Sequence, residues 1–344
     1  MFSVKLASLP IAFLVFIWNV PCCAAQTVPS SLPAEIRRAM SAVSKDNLSR
    51  TVNVLAREFG PRNAYFNQPF RDDKCTPETS ITYPENNVIM AAYRFAGMLN
   101  YMGYMTRLEP IRLDFTGKLY GYNVVAEKTG AIYPHSFIEV GGHLDSRPQT
   151  PGAADNAIGI AAVIELARIL ANYPNSYSLR FIAFVGHEHF YFQNIGSTSH
   201  ISTTVDNGDK IKAGLVLDGI GVSEEPPTAT SVIIHDGSRE SAEIADLYCF
   251  AAKTFAIPIK CRIAMDNALS VGSDNLSYWM QKQPATLNVG AWPYKQPFYH
   301  DCGDLPDIVN YENAMYTVQL NLALIILLDN GVTPPAPAAA TPER

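Results

Sequence analysis

The chain has 344 residues, of which 48% are hydrophobic and 17% charged, with a formal net charge of −6. That length suits one sizeable α/β core and is short for two full domains. The acidic balance gives no electrostatic case for nucleic acid as a partner.

Residues 1–25 read as a cleavable signal peptide. Lys5 is the only charge, 9–20 is mostly apolar, and Cys22-Cys23-Ala24-Ala25 supplies small residues for cleavage. The apolar run falls short of the roughly 20 residues a membrane-spanning helix needs, so the expectation is a secreted or periplasmic protein with no stable membrane span. Cleavage leaves Cys75, Cys249, Cys261 and Cys302. An even count in an oxidising compartment implies disulfides, with three possible pairings. Cys249 and Cys261 are the nearest pair, and Cys75–Cys302 would follow by elimination. Asn47-Leu48-Ser49 and Asn275-Leu276-Ser277 fit the glycosylation sequon, which matters only in a eukaryotic host.

Past a Ser/Pro-rich lead, 34–59 reads as helical turns and 62–83 as a polar loop. Apolar residues at helical spacing (Val88, Ala91, Ala92, Phe95, Met98, Leu99) predict a helix over 86–102, ended by Gly103. Strand-like runs follow at 104–113, 121–127 and 136–141, then a helix over 157–172. Strands are expected at 179–185, 213–217, 231–235 and 285–289, and helices at 241–255, 274–281 and 311–329. The last nears membrane-span length, but Glu312, Asn313, Gln319 and Asn321 make it a buried packing helix. Residues 331–344 form a Pro/Ala-rich tail expected to be disordered. Alternating strands and helices predict an α/β fold: a mixed, mostly parallel central sheet with helices on both faces. Such sheets bind ligands beyond the carboxyl ends of their strands.

The acidic and imidazole side chains fall at those ends. His143 follows the apolar run 137–140, with Asp145 two residues on, placed to accept from the ring N–H that a ligating imidazole keeps free. Asp155 lies at a helix start after Gly152-Ala153-Ala154, where an ordinary N-cap is the plainer reading. Gly186-His187-Glu188-His189 follows the strand at 179–185. Glu188 suits a general base and His189 a ligand. Asp218 ends another strand, and His300 sits in Tyr299-His300-Asp301 after a Pro-rich loop. Together these residues supply donors for two metal ions. The aromatic residues Phe190, Tyr191, Phe192, Tyr278 and Trp292 are placed to line an entrance or to pack.

In order, these elements resemble the zinc aminopeptidases of peptidase family M28. His143-Leu144-Asp145-Ser146 is similar to the family's His-x-Asp-Ser, and residues 152–159 to its Gly-Ala-Asp-Asp-Asn-Ala-Ser-Gly. Leu217-Asp218-Gly219-Ile220-Gly221 is similar to its Leu-Asp-Met-Ile-Gly, and Ser273-Asp274 to its Ser-Asp-His. Tyr299-His300, with Asp304 and Asp307, is similar to its Tyr-His-x-x-x-Asp-x-x-Asp. The resemblance implies a single M28-like domain over 26–330 with a zinc-peptidase sheet. It also implies two zinc ions per chain, and removal of N-terminal residues from peptides with a free N-terminus. By the same resemblance Asp155 bridges the ions and His143 and Asp218 complete the first. His300 and the residue after the catalytic Glu complete the second. Glu188 is the general acid/base, and Asp145 orients His143.

The sequence departs from the family at one place. Where the family has Glu-Glu, aligning Glu188-His189 keeps the base and replaces a carboxylate ligand with His189, so the second metal would bind differently. The other register puts His187 at the base position and makes Glu188 a ligand, which would leave a poor base and a weak or dead enzyme. Two further readings remain beside the peptidase. One is a glutaminyl-cyclase-like enzyme with a single zinc, similar in its longer loop after the catalytic Glu. The other is a non-catalytic peptide-binding homologue.

Overall fold

In the computed structural model, eight strands form one sheet: β1 (Met105–Arg112), β2 (Leu119–Lys128), β3 (Tyr133–His143), β4 (Tyr177–Phe184), β5 (Lys210–Leu217), β6 (Thr230–His235), β7 (Lys260–Met265) and β8 (Ala285–Val289). Their order is β1-β2-β4-β3-β5-β8-β6-β7. The structure describes residues 30–63, 87–112, 117–148, 150–188, 194–266, 268–269, 272–291 and 296–334. The expected signal peptide, most of the 62–83 loop, His189, the aromatic residues at 190–192, Trp292 and most of the tail lie outside them.

Strands β4, β3, β5 and β8 run parallel, as do β6 and β7, whereas β1–β2, β2–β4 and β6–β8 are antiparallel. The sheet is therefore mixed and parallel at its centre, as expected. The central strands are buried nearly throughout, which is why they read as continuous apolar runs rather than alternating ones. Alternate residues still go to opposite faces. Phe181, Ala183, Leu215 and Leu217 pack on one side, and Ile182, Phe184, Val216 and Leu287 on the other.

The first face carries α1 (Leu32–Ser41), α2 (Lys45–Asn53), α3 (Asn87–Tyr101), α4 (Ile158–Leu170), α6 (Arg239–Thr254) and α8 (Tyr311–Asp329). The second carries α5 (Ile195–Asp206) and α7 (Asn275–Met280). The strong helical pattern of α4 is borne out. Residues 311–329 are buried along most of their length as α8, and no helix among the described residues is long and apolar enough to cross a membrane. Sequence reasoning missed α5 and β7. The α5 segment is rich in Ser and Thr, which hydrogen-bond the backbone in non-helical conformations and weaken helix propensity. The β7 strand is a half-exposed edge without a buried run.

A disulfide joins Cys249 of α6 to Cys261 of β7, the expected nearest pair. Cys302 is disulfide-bonded as well, and its expected partner Cys75 lies outside the described residues. Asn275 is fully buried, so its sequon is closed to a glycan in the folded protein. Tyr278 is likewise buried, and its hydroxyl donates to Glu139 Oε2 at 2.9 Å, so it packs under the sheet and lines no entrance.

That hydroxyl belongs to a buried charge cluster on the α5/α7 face. Arg180 of β4 donates to Glu139 (2.9 Å), Glu127 (3.0 Å) and Asp209 (2.9 Å). His200 of α5 meets Glu109 (3.0 Å) and Glu139 (3.5 Å). Burial alone would lower the His200 pKa, but Glu139 and Glu109 outweigh it and raise it to about 9. A histidine raised on folding adds stability that is complete below its unfolded value near 6.5 and fades as pH climbs through the folded value. Chemical denaturation at a series of pH values should therefore show up to about 3 kcal/mol lost between about pH 6.5 and 9. His200→Gln should be less stable at neutral pH and should show a shallower slope, keeping only the part that His143 and His300 contribute.

Candidate metal centre

Three parallel strands end at one place and deliver the site. β3 ends on His143, β4 leads through Val185 into Gly186-His187-Glu188, and β5 leads into Asp218. The loop before α4 brings in Asp155, and the turn 297–300 brings in His300.

Asp155 is no helix cap. It has extended backbone angles (φ −126°, ψ 84°) ahead of the first regular turn of α4. Its side chain lies between two imidazoles: Oδ1 is 3.2 Å from His143 Nε2 and Oδ2 is 3.4 Å from His300 Nε2. Asn156 does the capping instead. Its Oδ1 accepts from Gly159 N–H (3.1 Å), and its Nδ2 donates to Leu217 O (2.8 Å), tying the helix start to β5. Glycine is required at 159, where a Cβ would lie 2.6 Å from Leu217 O. The main chain of the Asp155 loop is clamped by Asp304, which accepts from the N–H of Ala154 (2.7 Å) and of Asp155 (3.0 Å). Burial pushes the Asp304 carboxyl up to about 6, although those N–H donors pull the other way. Asp307, the other acidic residue of that motif, is exposed and pairs with Arg57 at 3.0 Å.

The remaining expected residues converge. His143 Nε2 is also 3.6 Å from Asp218 Oδ1, and His300 Nε2 is 3.1 Å from Glu188 Oε1. One donor atom from each of His143, Asp155 and Glu188 lies within 4.8 Å of the others, and the same holds for His143, His187 and Asp218. His300 holds a left-handed backbone (φ 58°), an uncommon conformation of the kind that clusters at functional sites.

Two expected roles change. Asp145 meets the His143 ring through its main chain: Nδ1 is 2.9 Å from the Asp145 carbonyl oxygen and 3.9 Å from its carboxylate. The carboxylate instead accepts N–H bonds from Gly186 (3.1 Å), Glu188 (3.0 Å) and His187 (3.4 Å), and the Tyr120 hydroxyl at 2.8 Å. It shapes the Gly-His-Glu turn. Glu188, for its part, sits inside the ring of donors beside His300, with Oε2 2.5 Å from Arg147 Nε. That placement fits the register in which Glu188 is a ligand. His189 lies outside the described residues.

Sequence reasoning overlooked Arg62 and Asn194, and named Ser273 in a motif without giving it a role. Buried Arg62 donates to the carbonyls of Leu144 (2.7 Å), Pro151 (2.7 Å) and Gly152 (2.9 Å), fixing the segment that leads to Asp155. Ser273 Oγ donates to Asp218 Oδ2 (2.8 Å), and Asn194 spans Ser273 and His187. These are ordinary residue types in loops, and only their partners mark them. Tyr299 stacks on the His300 ring at 3.7 Å.

The electrostatics fit a cation. His143 Nε2 and Glu188 Oε1 are buried and meet only ionisable partners, His143 facing Asp155 and Asp218, and Glu188 facing His300. Burial would lower the His143 pKa, but Asp218 and Asp155 outweigh it and raise it well above the ordinary value. His300 is raised to about 9, its hydrogen bonds to Asp155 and Glu188 overcoming burial. The same imidazoles hold Asp155 below the usual carboxylate range despite its burial. Without a metal the carboxylates keep protons on the rings. A divalent ion would satisfy the same oxygens and imidazole nitrogens, and such a mixed set suits zinc.

The chain belongs to peptidase family M28, whose model matches residues 123–325. It is therefore a hydrolase acting on peptide bonds. The uncharacterized protein YfbL of Escherichia coli (strain K12) is 24% identical over 86% of this chain and 91% of its own length. A probable zinc metalloprotease of Pyrenophora teres f. teres (strain 0-1) is 26% identical over 60% of this chain and 45% of its own length. Aminopeptidase YwaD of Bacillus subtilis (strain 168) is 30% identical over 33% of this chain and 25% of its own length. Among solved structures, the fold is shared with LapB of Legionella pneumophila (TM-score 0.68, 18% identity, 87% of this chain and 75% of that one). It is also shared with a Bacteroides thetaiotaomicron glutaminyl cyclase (TM-score 0.62, 19% identity, 83% and 98%).

The two aspartates of the last motif should separate experimentally. Asp304→Ala removes the clamp on the Asp155 main chain and should weaken zinc binding by about 10–100-fold, the usual cost of losing an outer partner. Asp307→Ala, an exposed change, should leave it within about twofold, since an exposed ion pair contributes little. Competition titration against a chromophoric chelator measures both.

Proposed function

We propose that the protein is a zinc-dependent aminopeptidase with two ions per chain, exported from the cell. The carrying observation is the Asp155 carboxylate, with one oxygen on His143 and the other on His300. A carboxylate so placed can bridge a pair of ions. His143 and Asp218 would complete the first site and His300 and Glu188 the second. Bound there, the ions would polarise the scissile carbonyl and lower the pKa of a water molecule.

The chain's own residues position these groups. Asp145 and Arg147 hold Glu188 by its main chain and its second oxygen, which suits a fixed ligand better than a mobile base. Arg62, Asn156 and Asp304 fix the Asp155 loop, and Ser273 fixes Asp218. Aminopeptidase names among the relatives, including YwaD, support a substrate with a free N-terminus. The N-terminal segment and the Cys249–Cys261 disulfide support export, because disulfides persist mainly in oxidising compartments.

Purified protein saturated with zinc should retain two equivalents after dialysis. It should release the chromophore from aminoacyl p-nitroanilides, leave the N-acetylated analogues intact, and lose activity with a chelator. Asp155→Asn should cost more than the roughly 10–100-fold typical of an outer partner. Cyclisation of glutaminyl peptides without release of N-terminal residues would overturn the peptidase reading in favour of a cyclase.

A further inference from the structure

His187 stands where the family pattern carries a carboxylate, and its ring is not turned out to solvent. It stacks on His143, with ring centroids 4.0 Å apart and planes 17° from parallel. A donor atom of His187 lies within 4.8 Å of donor atoms of both His143 and Asp218.

The surroundings decide which nitrogen is available. Asn194 Nδ2 donates to the Ser273 carbonyl at 3.2 Å, which turns Asn194 Oδ1 towards His187. That oxygen lies 2.7 Å from His187 Nδ1, so Nδ1 carries the proton and donates. The lone pair of the neutral ring is then on Nε2. A ligating histidine characteristically has this arrangement, with the other ring nitrogen donating to a fixed acceptor that sets tautomer and orientation. The chain of contacts continues: Ser273 Oγ donates to Asp218 Oδ2 at 2.8 Å. One set of outer hydrogen bonds thus orients both His187 and Asp218. Asp145 holds the main chain of the turn through the N–H groups of Gly186, His187 and Glu188.

We propose that His187 ligates the first metal ion through Nε2, beside His143 and Asp218, giving that site two imidazoles. The proposal rests on the zinc reading above and deepens it. His187 adds a donor to the first site, so the two ions of this chain are held unequally, the first more tightly, and it takes the place of a proton-accepting carboxylate, so turnover is slow.

The test uses zinc itself as probe on the full mature chain. X-ray absorption of the two-zinc protein should count three imidazoles over two ions, and two in His187→Ala. Chelator competition should show the tighter of two zinc affinities weakened by at least about a hundredfold in His187→Ala, more than the loss of an outer partner. Asn194→Leu, which keeps the ring but removes its clamp, should weaken the same affinity by about 10–100-fold. Melting of the zinc-free variants at the wild-type temperature would show that they fold. Wild type and His187→Ala with equal imidazole counts and equal tight affinities would overturn the His187 assignment and leave the zinc reading standing. A wild-type protein that binds no zinc would overturn both.

Discussion

The centre depends on the placing of one buried carboxylate, Asp155, between two imidazoles that come from opposite ends of the sequence. An ionised carboxyl group out of water is costly unless it is paired. Here His143 and His300 pair it, and they in turn are held charged by Asp218 and Glu188. The arrangement balances only as a group: removing one member leaves a buried charge without its partner. A metal ion held by the same oxygens and nitrogens would take the place of the ring protons, so its affinity would be tied to proton release.

Positioning falls to residues that never meet the ion. Arg62 spends its guanidinium on main-chain carbonyls of the segment before Asp155, and burial lowers its pKa to about 10 even beside Asp304 and Asp145. Asp304 holds two N–H groups of the Asp155 loop. Asp145 collects three N–H groups of the Gly186-His187-Glu188 turn. Each is a charged or acidic side chain satisfying backbone groups that a tight, irregular loop cannot satisfy within itself. The irregular backbone presents the ligands, and the buried charges make that backbone affordable.

The α5/α7 face of the sheet carries a second charged cluster, around Arg180, Glu139 and His200. Glu139 and His143 lie on the same strand, β3. Pairing across β1, β3, β4 and α5 ties this strand to its neighbours at mid-length, and its far end carries the ligand. Rigid placement at the carboxyl edge is what a metal site with several ligands requires.

Much of the fold was legible in the sequence, because buried parallel strands are continuous apolar runs and α4 has a clean helical stripe. The strand ends were legible for the same reason: His143, Asp218 and the Gly-His-Glu turn each follow such a run. The sequence left open the register at Glu188, and it assigned the Asp145 carboxylate to His143 where the structure puts it on the Gly186-His187-Glu188 turn. Both depend on which atoms approach across the gap between strands, and a one-residue shift in alignment leaves the pattern of residue types almost unchanged. The α5 helix was hidden because its Ser/Thr-rich surface sacrifices local propensity to packing on the sheet. Arg62 and Asn194 were hidden because nothing in their local sequence distinguishes them from loop residues, and the motif that contains Ser273 did not show its hydrogen bond to Asp218. The sequence by itself determined the sheet, the order of the ligand-bearing segments and the kinds of donor they carry. Only the tertiary structure decided which donors meet, because hydrogen bonds between segments far apart in the chain set the orientation of each side chain.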